Sequence, residues 1–180
     1  MKKKLLFITR NYPPIIGGLE KYSYDFYHNI KKNIPTELLA HSKGKKGLIY
    51  FGFRVLFHII NNGNSYSHIH LADASLSIFY PFLKLLSNAS LSLTVHALDI
   101  TYDNYLYQKI IPALVSRFDK IVCVSNSTLE KCKIRGIPEK ICNIIPNAID
   151  FNKLKEGCLN IEDIEIKFNL NLKGKKILFS

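Results

Sequence analysis

Short apolar runs recur along the chain, and most of them are aliphatic or β-branched throughout instead of alternating with polar residues. Runs of this kind are typical of parallel strands that are buried on both faces of a sheet. The sequence therefore predicts strands at Lys4–Thr9, Thr36–Ala40, Ser67–Leu71, Leu91–Val95, Lys120–Ser125 and Cys142–Ile145.

Segments with helical periodicity lie between the predicted strands. The apolar positions of the first segment are Leu19, Tyr22, Phe26 and Ile30. Their spacings of 3, 4 and 4 residues indicate one face of a helix. Further helices are predicted at Gly47–Asn61, Ala74–Leu86, Asn104–Phe118 and Ser127–Arg135. Pro81 and Pro112 are expected to break or kink two of them, because proline removes a backbone hydrogen bond.

The alternation of strand and helix predicts right-handed βαβ units. The predicted fold class is α/β, a Rossmann-like doubly wound parallel sheet with helices on both faces. With 180 residues and 47% apolar content, the chain can form one domain with a real core, which we assign to residues 1–150. Residues 151–174 are polar and are interpreted as an interdomain linker, and residues 175–180 as the first strand of a missing second domain.

The charge balance favours anionic partners. Lysine and arginine exceed aspartate and glutamate by 25 − 14 = 11, which suits nucleotide phosphates, acidic lipid headgroups or nucleic acid. The sequence has no zinc-finger, RNA-recognition or helix-turn-helix pattern, so nucleic acid is not expected as a partner.

The four cysteines are Cys123, Cys132, Cys142 and Cys158, and no two of them form a Cys-x-x-Cys pair. Neither a metal site nor a disulfide framework is expected from these spacings. A reducing cytoplasm is the predicted location.

The longest apolar run is Gly47 to Ile60, which is shorter than the roughly 20 residues of a membrane span and is interrupted by Arg54 and His58. The apolar stretch "LLFI" near the start is too short for a signal peptide. A basic cluster precedes the long run, as in helices that lie at a membrane surface. We favour a core helix there, with peripheral membrane contact as the alternative.

Small and polar residues follow the predicted strands at the edge where open parallel sheets bind ligands. Gly17 and Gly18 follow the first strand, so that backbone N–H groups at the start of a helix can face an anion such as phosphate. The alternative is a flexible turn, and the dinucleotide fingerprint Gly-x-Gly-x-x-Gly is missing. Glu20 is interpreted as a favourable partner of the helix dipole.

The fourth strand ends at a histidine. His96 either hydrogen-bonds a substrate group or is satisfied by neighbouring backbone, and the sequence leaves these alternatives even. Asp73 and Ser125 are interpreted as helix caps, and Asn147 as a turn residue. His70 is a weaker candidate for chemistry.

Four segments occur in an order that resembles a known family: "NYPPIIGGLEKY", "TVHALD", "KIVCVSNSTLEKCKIRGIPEKICNIIPNAID" and "KKILFS". Together they are similar to the N-terminal half of a retaining glycosyltransferase of family 4, which has the GT-B fold. The resemblance covers nearly the whole chain. Its specific part is the combination of the Gly-Gly loop with the Val-Ser, Gly-Ile-Pro and Pro-Asn-x-Ile-Asp segments.

The resemblance implies an acceptor-side domain that needs a second, donor-binding domain. It implies that Gly17 and Gly18 approach the diphosphate of a nucleotide sugar and that His96 lies near the donor sugar. By the same resemblance Tyr12, Ser125 and Asn147 join the substrate-binding set. The implied acceptor is a saccharide or a lipid-linked molecule, and no metal or other cofactor is expected.

The resemblance leaves two functions open. In the first, the chain is the acceptor-side half of a transferase and has little activity without its second domain. In the second, it is a non-catalytic subunit that docks the acceptor or a membrane, and it pairs with a separate donor-binding chain. A nicotinamide-dependent oxidoreductase is disfavoured, because the second strand, "TELLA", does not end in an acidic residue.

Overall fold

A parallel sheet of six strands, in the order β2-β1-β3-β4-β5-β6, organises the first 147 residues of the computed structural model. The structure describes residues 4–44, 46–148, 161–172 and 174. The strands are β1 (Leu5–Thr9), β2 (Thr36–Ala40), β3 (His68–Leu71), β4 (Ser90–Val95), β5 (Lys120–Cys123) and β6 (Cys142–Ile144).

Helices connect every consecutive pair of strands. They are α1 (Gly18–Ile30), α2 (Leu48–Asn62), α3 (Tyr80–Leu86), α4 (Ala97–Ile100), α5 (Tyr105–Val115) and α6 (Asn126–Ile134). Short 3-10 helices occupy Gly63–Ser65, Ala74–Phe79 and Glu139–Ile141. The predicted α/β, Rossmann-like fold with a doubly wound parallel sheet is confirmed.

All six predicted strands are present, and their ends agree with the predicted ends to within two residues. The largest difference is at β5, which stops at Cys123 rather than Ser125. Ser125 instead caps α6, and its hydroxyl accepts a hydrogen bond from the Thr128 amide at 3.1 Å. A residue whose side chain caps a helix does not take part in the hydrogen bonds of the preceding strand.

The segment predicted as a helix at 74–86, with a break or kink expected at Pro81, is divided into two helices. A 3-10 helix covers Ala74–Phe79, and α3 begins only at Tyr80. Pro81 lies in the first turn of α3, where its missing N–H costs nothing, so proline starts this helix instead of kinking it. Pro112 lies inside α5, and that helix ends three residues later at Val115. The sequence analysis missed α4, which has four residues.

One face of the sheet is apolar and carries most of the core. Leu6, Ile8 and Ile69 are fully buried in one cluster with residues of the covering helices. Phe51, Val55 and Ile59 of α2 belong to the same cluster, as do Leu83 of α3 and Ile111 and Val115 of α5. Because alternate residues of a strand point to opposite faces, the intervening residues of β1 and β3 face the other way.

The opposite face is polar and is covered by α1. Phe26 of α1 packs on Phe7 and on the His70 imidazole, with ring centroids 4.7 and 4.9 Å apart. The Ser92 hydroxyl bonds His70 Nδ1 at 2.6 Å, and the Thr94 hydroxyl bonds His70 Nε2 at 3.0 Å. Tyr22 of α1 completes the chain through a 2.7 Å bond to the Thr94 hydroxyl. Burial holds the His70 pKa down at about 3, with His68 and His96 adding to the shift, so the imidazole is neutral.

A second unit comprises residues 148–180, and its described part contains one helix, α7 (Ile161–Phe168). Beyond this helix, the Leu172 amide donates a hydrogen bond to the Glu165 carboxylate at 2.5 Å. The helix falls within the predicted linker 151–174, whose linker role stays a prediction. The strand predicted at 175–180 lies outside the described residues. Among the helices that the structure describes, none combines the length and apolarity required to cross a bilayer.

The replacement Thr94→Val tests the buried hydrogen-bond chain. Valine fills the same volume in β4 but leaves the Tyr22 hydroxyl and His70 Nε2 without their shared partner. We expect the free energy of unfolding to fall by about 1–3 kcal/mol in urea titrations. Thr36→Val on the edge strand β2, where the hydroxyl donates only to the Ile34 carbonyl, should cost much less. Equal losses in the two variants would contradict the role assigned to Thr94.

Candidate functional site

The carboxyl edge of the sheet gathers the turn before α1, the end of β4 and the start of α6. Gly17 is the residue before α1, and the first helical bond joins the Lys21 amide to its carbonyl at 3.0 Å. With no side chain at Gly17, no side-chain cap covers the first turn of α1. The first amides of a helix have no partner within the helix, so this end of α1 offers donors to an anion.

The space around the two glycines differs. A Cβ placed on Gly18 meets nothing within 4 Å, whereas a Cβ on Gly17 collides with the Glu20 carboxylate, which bends back over it. Both glycines are exposed, and Gly17 has an extended backbone that any residue can adopt. The structure therefore does not need glycine at Gly18 for packing, and the backbone there is open to a ligand.

The position of α1 over the sheet is set by polar contacts at its first turns. The Thr9 and Ser23 hydroxyls share a buried hydrogen bond of 2.8 Å. The preceding residue, Tyr22, bonds Thr94 through its hydroxyl, and burial raises the Tyr22 pKa to about 12, so the hydroxyl stays protonated. These contacts fix the start of α1 relative to β1 and β4.

His96 lies directly after β4 and packs against α1. Its Nε2–H donates to the Ala72 carbonyl at 3.1 Å, and its ring meets the Tyr22 ring edge-on at a centroid distance of 4.8 Å. Burial lowers the His96 pKa, although the Ala72 bond and Asp73 oppose the shift. The ring is therefore neutral near pH 7. With Nε2 protonated, Nδ1 is the hydrogen-bond acceptor, and the His96 side chain faces the Asp99 amide in a capping box at the start of α4.

An ion pair that the sequence analysis missed lies behind this edge. The Arg10 Nε donates to both Asp73 carboxylate oxygens, at 3.1 and 3.2 Å, and Asp73 is only 1% exposed. Asp73 also accepts from the Ser75 amide at 3.0 Å, as predicted for a helix cap. The one signal for Arg10 in the sequence is its position directly after β1.

Asp99, for which the sequence predicted no role, joins the ends of β3 and β4. Its Oδ2 accepts the Ala74 amide at 2.9 Å and the His96 amide at 3.1 Å. Its Oδ1 is buried without a partner among the described residues. Burial raises the Asp99 pKa to about 7 against the opposing effect of these amide bonds. The carboxyl thus fixes the backbone from which the His96 ring extends.

The other predicted site residues are spread along the same edge. Tyr12 packs on Tyr24 of α1, with ring centroids 6.1 Å apart, and burial raises its pKa. Ser125 acts as the cap of α6, one strand from β4. Asn147 is exposed beyond the end of β6. The structure therefore brings the Gly17-Gly18 turn and His96 together through Tyr22, and it leaves Ser125 and Asn147 further along the sheet.

No group of three or more histidine, cysteine or acidic residues that could hold a metal occurs within residues 4–44, 46–148, 161–172 and 174. The predicted absence of a metal cofactor stays a prediction. Cys123, Cys132 and Cys142 are free thiols. The Cys123 and Cys132 sulfurs are buried 4.0 Å apart, so these residues pack in the interior and do not form part of the edge.

The raised pKa of Asp99 predicts a pH-dependent stability difference. Its native pKa of about 7 lies above the reference value of 3.8, so native Asp99 holds a proton that the unfolded chain releases. This contribution to stability is present below pH 4 and is lost as the pH rises towards 7. Asp99→Asn keeps an acceptor for both amides and should gain on the order of 2–4 kcal/mol relative to the parent between pH 4 and 8.

The measurement is the free energy of unfolding of both proteins across that pH range. Taking the difference between them removes the opposite effect of His70, whose low pKa favours unfolding as the pH falls below 6.5. Asp103→Asn, at an exposed carboxyl, provides the matched control. A difference for Asp99→Asn that does not change with pH would show that the Asp99 carboxyl is ionised throughout.

Solved glycosyltransferase structures share this fold. Anabaena Alr3699/HepE in complex with UDP-glucose matches with a TM-score of 0.64 and 15% sequence identity, over 92% of this chain and 49% of that protein. The same protein in complex with UDP matches at 0.62 and 16%, over 94% and 49%. The lipopolysaccharide outer core galactosyltransferase WaaB, in its apo form, matches at 0.54 and 15%, over 82% and 46%. The chain thus spans about half the length of these proteins.

No curated protein matches the chain, whereas a family profile does. The family profile described as Glycosyltransferase Family 4 matches residues 8–153, which include the Gly17-Gly18 turn, His96, Ser125 and Asn147. The resemblance found in the sequence is therefore confirmed, and the chain belongs to Glycosyltransferase Family 4.

Proposed function

We propose that this chain is the acceptor-side domain of a retaining glycosyltransferase that moves a sugar from a nucleoside-diphosphate sugar to a saccharide or lipid-linked acceptor. Family membership supports the transferase class, and HepE, which shares the fold, is described in complex with UDP and with UDP-glucose. The chain covers less than half of HepE, which supports a second, donor-binding half as the necessary partner.

The observation that carries the proposal is the uncapped start of α1 next to His96. As the glycosidic bond of the donor breaks, negative charge develops on the leaving diphosphate. Backbone amides and the positive end of α1 stabilise that charge without having to reorganise. Gly18 leaves this end of the helix open, and Tyr22 fixes α1 at a short distance from His96.

His96 is suited to positioning a sugar and not to proton transfer. Its neutral ring donates to the Ala72 carbonyl through Nε2, and Nδ1 is the acceptor for a sugar hydroxyl, which would replace the Asp99 amide of the α4 capping box. Because Asp99 and Tyr22 fix its backbone and ring, little conformational entropy is lost when the sugar binds. In this proposal the donor-binding half supplies the remaining charge stabilisation, so the chain by itself transfers little or no sugar.

We propose the cytoplasm, at the inner face of a membrane, as the place of action. The free cysteines of the described chain suit a reducing compartment. The alternative function, a non-catalytic subunit that docks the acceptor or a membrane and pairs with a separate donor-binding chain, is favoured by one observation. The outward side of α2 exposes several large apolar residues that the core does not use.

The first test is a size series at Gly18. We expect Gly18→Val to lower transfer from UDP-glucose or another sugar nucleotide by roughly 100-fold, because its side chain blocks the amides that face the diphosphate. The assay uses the chain together with its donor-binding half, encoded downstream or separately. Gly18→Ala, which adds one methyl group, should lose less, and the melting temperature of both variants should match the parent. Unchanged turnover in Gly18→Val would show that the diphosphate does not bind at this turn.

The second test is His96→Ala, with His28→Ala as the matched control. His28 lies in the last turn of α1, and its Nδ1 bonds the Tyr24 carbonyl at 2.9 Å. We expect the His96 variant to lose roughly 10- to 100-fold in turnover, whereas the His28 variant should retain the parental rate. Equal rates in both variants, with folding intact, would contradict the donor-side role of His96.

A further inference from the structure

Helix α2 exposes a continuous apolar stripe. We call this the α2 outer stripe; its members are Ile49, Tyr50, Phe53, Phe57 and Ile60, and each is between 63% and 81% exposed. At about 100° per residue, these side chains cover roughly 100° of the helix circumference. Scattered apolar residues are normal on protein surfaces, whereas three aromatic and two aliphatic side chains along one helix face form a patch.

The core does not explain the α2 outer stripe. The side of α2 that faces the sheet has its own apolar residues, Phe51, Val55 and Ile59, all of which are buried. A helix on the surface of a globular domain normally carries charged and polar residues on its outer side. Helix α2 is therefore apolar on two sides, and only one of them is covered within residues 4–148.

Basic side chains predominate around the α2 outer stripe; Glu37, which lies 3.4 Å from the His58 imidazole of α2, is paired with Lys4 at 2.7 Å. Between Glu37 and Asp99 the only acidic residue is Asp73, which is 1% exposed and is paired with Arg10. In contrast, Lys43 and Lys46 are exposed in the loop before α2. Two further basic residues of this region, Arg54 in α2 and Lys84 in α3, are also exposed.

The fold places the basic loop at the functional edge. The loop follows β2, and all six strands are parallel, so Lys43 and Lys46 lie at the same carboxyl edge of the sheet as the Gly17-Gly18 turn. From there α2 runs back along the sheet. A flat apolar partner with negative charge at its border would contact the stripe and the lysines together.

We propose that the α2 outer stripe and the preceding basic loop form a docking surface for an anionic lipid bilayer. The aromatic and aliphatic side chains enter the boundary between headgroups and acyl chains, while the lysines contact acidic headgroups. A protein partner would be expected to match a basic rim with acidic residues, whereas a bilayer matches both features over a flat area. The use of this surface to reach a lipid-linked acceptor rests on the proposed function. The docking to the bilayer does not.

The chain has no tryptophan, so one introduced residue reports on its own surroundings. Phe53→Trp places this reporter within the α2 outer stripe, and Tyr105→Trp places it at a site in α5 that is 83% exposed. With vesicles of phosphatidylglycerol and phosphatidylcholine, the emission of Phe53→Trp should shift to shorter wavelength. It should also be quenched by lipids brominated in the acyl chains. Tyr105→Trp should show neither change, and identical behaviour of the two reporters would overturn the proposal.

Vesicle sedimentation then measures affinity. Phe53→Ser/Phe57→Ser should weaken binding to phosphatidylglycerol vesicles at least tenfold, and the exposed pair Tyr105→Ser/Ile134→Ser should leave it unchanged. Lys43→Glu/Lys46→Glu should also weaken binding at least tenfold. The control for charge is Lys109→Glu/Lys140→Glu, which changes two exposed lysines elsewhere by the same amount.

The outcomes separate the possible occupants. Equal losses in the two lysine pairs would mean that net charge alone attracts the chain, and the proposed surface would be wrong. Absence of vesicle binding in the parent at low salt would also overturn the proposal. A dimer in sedimentation velocity that Phe53→Ser/Phe57→Ser dissolves would assign the stripe to a second copy. Transfer to a water-soluble acceptor should survive in these variants, so a failure of the transferase proposal would be seen separately.

Discussion

The hydrogen bond between Tyr22 and Thr94 is the contact on which the geometry of this edge depends. It joins α1 to the central strand β4, and through Thr94 it continues to His70 and Ser92. Buried polar groups of this kind are costly when unpaired and specific when fully paired. The chain of bonds therefore selects one position for α1, and that position places the uncapped helix start near His96.

The two faces of the sheet have different roles: one supplies hydrophobic stabilisation, and the other positions α1. The apolar face, covered by α2, α3 and α5, buries the large aliphatic side chains that supply most of the hydrophobic stabilisation. The polar face, covered by α1, has fewer apolar residues and gains its definition from hydrogen bonds and stacked rings. A rigid apolar layer thus supports a polar layer whose geometry must be held within narrow limits.

One buried carboxyl organises the backbone at the carboxyl edge of the sheet. Asp99 receives amides from the ends of two neighbouring strands, and its burial keeps its pKa near 7. The Arg10–Asp73 pair lies beside it and neutralises the second carboxylate of this edge. Burial keeps the His96 imidazole neutral, and Asp99 fixes the backbone from which the ring extends, so the ring can accept a hydrogen bond.

The sequence by itself determined the strands, the parallel order of βαβ units and the family, because apolar runs and glycine or proline positions act locally. It also predicted Gly17, Gly18 and His96 as site residues, since strand ends mark the edge where ligands bind, and their role stays a prediction. It predicted no site role for Arg10, Tyr22 and Asp99, and it did not reveal the 3-10 start of the 74–86 segment. Only the tertiary structure decided these features, because burial, pKa and pairing depend on residues that are distant in the chain. Tyr22 and Thr94, for example, are 72 positions apart and meet only when the sheet has formed.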